Sequence, residues 1–90
     1  MYYVQLWRDI NVGHPTVCER VQAASEGHAV VQVMRRHHMI QVDRAWVSRS
    51  ALEAPTIRLV HVFVKGGVRR WKHELPAPAA RGTVDRSCSA

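Results

Sequence analysis

Long hydrophobic runs are missing from this chain. No stretch approaches the roughly 18 apolar residues of a bilayer-spanning helix, and the opening Met-Tyr-Tyr-Val has neither the basic start nor the apolar segment of a secretory signal. The expectation is a soluble protein that works in the cytoplasm, without membrane contact. Cysteine is scarce as well: Cys18 falls in an alternating segment and Cys88 in a polar terminal stretch. With no secretory signal, both read as reduced thiols, so no disulfide is expected.

Acidic residues are few. Seven Asp and Glu face 13 Lys and Arg, for a formal charge of +6 and a pI near 10.4. An excess of this sign attracts nucleic acid, acidic proteins or anionic surfaces and says nothing about fold.

Chemical signatures are also lacking. Asp9, Asp43 and Glu53 form no paired-carboxylate motif, and Gly66-Gly67 joins two strand-like segments where a phosphate loop would open a helix. Cys18 with some histidine is the one conceivable nucleophile and base, and nothing in the spacing brings such a pair together. A metal needs several donors within about 2.0 to 2.3 Å of one point. His37 and His38 are adjacent and diverge, while His28 and His37 fall on opposite sides of a helix that turns roughly 100° per residue. His14 and Cys18 would supply only two donors. No catalytic residue, metal or cofactor is expected, and the chain reads as a non-enzyme.

What is present is an architecture, organised around Arg20 to His38. Ser25 is a good N-cap, and Glu26 suits the positive end of a helix dipole. Ala29, Val30, Val33, Met34 and His37 then follow the spacing of one helical stripe. Three valines and Gly27 lower helix propensity, so packing must hold this helix. Arg35, Arg36, His37 and His38 place positive charge at its negative end.

Upstream, Val17, Glu19, Val21 and Ala23 alternate with Thr16, Cys18, Arg20 and Gln22, the period of a half-buried strand. Tyr2 to Ile10 reads as a first strand, apolar on both faces, joined to the second through a turn holding Gly13 and Pro15. Met39 to Ser48 alternates again, with Ile40, Val42 and Trp46 on one side, and the polar stretch to Pro55 ends it. Ile57 to Val64 is a fourth strand, greasy on both sides. Gly66-Gly67 supplies the positive φ of a hairpin turn, so Val68 to Glu74 should return antiparallel.

The expected fold is therefore α+β in the order β-β-α-β-β-β: one helix packed on one face of a mainly antiparallel five-stranded sheet, with spatial order 2-1-3-4-5. Residues 1–75 make the single domain and 76–90 a flexible tail rich in Pro and small residues. Ninety residues bury only around 60% of their unfolded surface. A single helix leaves the other sheet face uncovered, and Val60, Val62 and Val64 are expected there as an apolar patch closed by a second copy, giving a homodimer.

The functional expectation rests on the last hairpin. Ile57 to Glu74 holds five Lys or Arg against one acid. Lys65, Arg69, Arg70 and Lys72 around Trp71, with Arg35 and Arg36 at the helix end, have the composition that neutralises phosphates and stacks bases, so DNA or RNA is the expected partner. The competing explanation is that the cations guard an exposed sheet edge while Trp71 packs inward. The alternative role is a protein-interaction module, an adaptor or inhibitor that docks an acidic protein partner through its sheet face or edge strand.

Overall fold

The computed structural model describes residues 1–74; the expected tail lies outside them. Five strands and one helix follow in the order β1 (Tyr2–Trp7), β2 (Val17–Val21), α1 (Glu26–Arg36), β3 (Gln41–Ser48), β4 (Ile57–Lys65) and β5 (Val68–His73). They form one sheet in the order β2-β1-β3-β4-β5, and every neighbouring pair is antiparallel. β2 and β3 both pair with β1 from opposite sides, so they run parallel to each other, and the chain between them crosses over β1 through the helix. This is the expected α+β order.

The helix starts where its cap dictates. Ser25 Oγ accepts the His28 amide at 3.2 Å, which satisfies one of the first-turn donors. Its end carries a Schellman motif. The His38 amide donates to the Arg35 carbonyl at 3.1 Å and the Met39 amide to the Met34 carbonyl at 2.8 Å, with His38 in the left-handed region at φ 54°. Met39 turns back into the core beside Met34. Ala29, Val30, Val31, Val33 and Met34 are buried, so the predicted stripe faces the sheet except at its last member, His37, which is exposed. They meet Val4 and Leu6 of β1, Val21 of β2, Val42, Ala45 and Val47 of β3, and Leu59, Val62 and Val64 of β4. Each such side chain contributes about 1.5–3 kcal/mol by leaving water.

One irregularity decides which residues face which way. In β4 the core residue after Leu59 is Val62, a step of three where alternation would give two. The slip falls at His61, whose φ is 54°, and the β4–β5 register shifts between Val60 and Phe63. An extra residue on one strand is a β-bulge. β3 takes the same step from Val42 to Ala45 opposite it.

The bulge corrects the expected dimer patch. Val62 and Val64 lie under the helix in the core, 0% and 5% exposed, and only half-buried Val60 belongs to the other face. Unbroken alternation through His61 would have put all three together. Two further expectations are revised. Val42 and Trp46 do not share a side, for the same reason, and Ile40 precedes β3 and is exposed. Cys18 is disulfide-bonded, not a reduced thiol, and the thiol argument for an intracellular location goes with it.

Candidate nucleic-acid interface

The face turned away from α1 is built by the residues between the core positions. β1 gives Tyr3, Gln5 and Trp7, all buried; β3 gives Arg44, Trp46 and Ser48; β4 gives Arg58, Val60 and, beyond the bulge, Phe63; β5 gives Arg70 and Lys72. Exposure rises across it. The β1 end is closed, Arg58, Val60 and Phe63 are half-buried, and Arg70 and Lys72 stand in solvent.

Guanidinium groups lie over aromatic rings along this face. Arg44 lies over two indoles, 5.6 Å from the centre of Trp7 and 5.4 Å from that of Trp46, which themselves pack at 4.9 Å with planes tilted by 58°. Arg58 covers Trp46 at 5.1 Å and Arg70 covers Phe63 at 5.0 Å. Each contact is worth about 0.5–1 kcal/mol when exposed and about 2 when dry. The attraction holds a long side chain flat, which spares part of the ordering entropy that a bound anion would otherwise cost it.

The three arginines differ in what else they hold. Arg44 donates from Nε and Nη2 to Glu74 Oε1, both at 3.0 Å, so its charge is matched. Glu74 is itself placed by its amide, which donates to the Arg58 carbonyl at 2.9 Å. Arg58, Arg70 and Lys72 make no ion pair among the described residues. Beside them a cavity of about 460 Å³ is lined by Gln41, His61, Phe63, Arg70, Trp71 and Lys72. It opens at the bulge, where the left-handed His61 turns its side chain into solvent.

The residues singled out from sequence separate into three groups. Arg70 and Lys72 lie on the face just described, with Lys65 exposed at its end. Arg69 and Trp71 alternate to the helix side, where the Trp71 ring joins the core at the start of α1. Trp71 therefore follows the inward-packing explanation and is not the exposed stacking residue of this hairpin. Arg35 lines a cavity with Arg69, whereas Arg36 is held by Glu19 on β2. The expected single patch is thus divided by the sheet itself.

Glu19 also receives His37, whose Nε2 lies 2.5 Å from Oε2. Burial pushes its carboxyl up, but hydrogen bonds from His37 and Arg36 and their nearby charges outweigh this and hold it below the ordinary value of 4.5.

Sequence reasoning missed Arg44, Trp46, Arg58 and Phe63 as parts of this face. A signal is present in β3, where Arg44 and Trp46 are two apart, but period-two alternation puts Trp46 with Val42 because the phase slip leaves no mark in the sequence. Among the described residues, no cluster of three or more His, Cys, Asp or Glu could hold a metal, and no helix is long and apolar enough to cross a membrane. No protein-family model, curated protein or solved structure matches the chain.

Proposed function

We propose that this chain is a small basic binding module that holds single-stranded nucleic acid across β3, β4 and β5, on the face away from the helix. One observation carries the reading. Arg58, Arg70 and Lys72 share a surface with Trp46 and Phe63, and the acid beside them, Glu74, is already engaged by Arg44. Cations at that spacing neutralise phosphates, and a base stacks on a guanidinium plane or an aromatic ring with little regard to its identity. An unpaired strand suits this face better than a duplex, because a sheet face presents no projecting element to enter a groove.

Docking of an acidic protein on the same cations is the competing role, and edge-strand pairing at β5 is disfavoured because Arg69, Arg70 and Lys72 line that edge. The deciding experiment is fluorescence anisotropy with labelled single-stranded DNA and RNA at about 50 mM salt. Saturable binding, weakened at least about tenfold in Arg58→Ala/Arg70→Ala/Lys72→Ala, supports the proposal. A flat titration overturns it.

A further inference from the structure

Arg35 and Arg69 take no part in the face described above. Arg35 and Arg36 are neighbours, but a helix turns roughly 100° per residue, so they leave it in different directions. Arg36 goes to Glu19, and Arg35 goes to the flank nearest the β4–β5 turn. On β5 alternation acts conversely, sending Arg69 to the helix side while Arg70 and Lys72 stay behind. The two arginines meet at a cavity of about 340 Å³ lined by His28, Val31, Gln32, Arg35, Gly67 and Arg69.

The lining has the chemistry of an oxyanion site. His28, Gln32 and Arg35 recur at the spacing of one helical stripe, and buried Val31 lies beneath them. Gly67, at φ 81°, adds no side chain, and the space where its Cβ would stand is open, so the turn leaves the wall clear. Two guanidinium groups, an imidazole and a carboxamide line the space with no carboxylate among them. Neither arginine has an ion pair among the described residues. Guanidinium forks match phosphate oxygens in pairs, and the volume is at the low end of the roughly 300–1,000 Å³ of small-molecule sites, enough for a phosphate-bearing fragment.

We infer that this cavity between α1 and the β4–β5 turn is a separate phosphoryl-binding site, on the opposite side of the sheet from Arg58, Arg70 and Lys72. It does not depend on the nucleic-acid reading, since a free phosphate compound and the phosphate of a strand passing round the β5 edge present the same oxygens.

The test is an amide NMR titration of the full chain with pyrophosphate. The expected shifts cluster at His28, Gln32, Arg35, Gly67 and Arg69. Arg35→Ala/Arg69→Ala loses affinity by at least about tenfold, while Arg70→Ala/Lys72→Ala leaves it unchanged. Both arginines are exposed, and the spread of amide shifts in the double variant reports that it folds; Arg35→Lys/Arg69→Lys keeps the charge and retains part of the affinity. Repeating the titration with a single-stranded oligonucleotide separates the sources: shifts of the same amides assign the phosphoryl group to a bound strand, and shifts with pyrophosphate alone assign it to a free compound. No pyrophosphate shift in this set, or wild-type affinity in the folded double alanine variant, overturns the site.

Discussion

The Trp71 indole stands 3.4 Å from the position that a Cβ would occupy at Gly27. That is the near end of ordinary contact, so alanine fits and anything longer strikes the ring. Alanine also favours the helix by about 1 kcal/mol over glycine. Gly27→Ala should therefore raise stability by up to about 1 kcal/mol, and Gly27→Leu should lower it by about 1–3 kcal/mol through overpacking. Urea unfolding midpoints measure both. A destabilising alanine would mean that Trp71 is more tightly confined than this packing implies.

Glu19 ties β2 to the end of α1 through Arg36 and His37. Its folded carboxyl titrates below its ordinary value of 4.5, so the stability it contributes is complete above that value and is lost as pH falls through the folded one. Arg36 and His37 are substantially exposed, which limits the contribution to about 0.5–1 kcal/mol. Glu19→Gln should unfold more easily than wild type at pH 6, and the gap should close as pH drops below about 4. A gap that persists unchanged at pH 3 would assign Glu19 a role other than its charge.

His38 occupies the left-handed position of the Schellman motif, where glycine is the unstrained residue. The basic run Arg35-Arg36-His37-His38 reads in sequence as charge at a helix end, and it also supplies this cap. His38→Gly should raise stability by about 0.5–1 kcal/mol, the relief of strain exceeding the added freedom of the unfolded chain. A lower thermal midpoint would indicate that the imidazole makes a contact worth more than the strain.

Much of the fold was legible because its signals are local. Ser25 and the stripe from Ala29 to Met34 mark the helix, Gly66-Gly67 marks the last turn with φ of 56° and 81°, and alternation from Val17 to Val21 marks the second strand. The candidate site was half legible. Its cations are visible in composition and alternation on β5 divides Arg69 from Arg70 and Lys72, but the aromatic residues beside them depend on a phase slip at His61, and a histidine at φ 54° carries no sequence signature. Period-two counting through His61 therefore puts Val62 and Val64 outside the core, and the matching step on β3 hides that Trp46 faces away from Val42 and pairs with Arg58.

Deleting His61 tests that bulge directly. With the extra residue gone, plain alternation would carry Leu59, Val62 and Val64 inward and Val60 and Phe63 outward, the same sides they occupy across the bulge. The core is kept, so the deletion should retain a sharp unfolding transition and lose only about 1–3 kcal/mol for the disturbed pairing with β3 and β5. His61→Gly keeps the residue count and should stay within about 1 kcal/mol of wild type. Loss of the unfolding transition in the deletion variant alone would contradict the phase slip, since removing one residue from an unbulged strand turns every later side chain to the other face.

The account stands most directly on the salt dependence of single-strand binding. For each phosphate neutralised, the slope of log Kobs against log salt steepens by about 0.7. Arg70 and Lys72 make no ion pair among the described residues and Arg36 is already held by Glu19, so Arg70→Ala and Lys72→Ala should each flatten the slope by about 0.7 while Arg36→Ala leaves it alone. Identical slopes for wild type, Arg70→Ala and Lys72→Ala would contradict the assignment of this sheet face to a phosphate backbone.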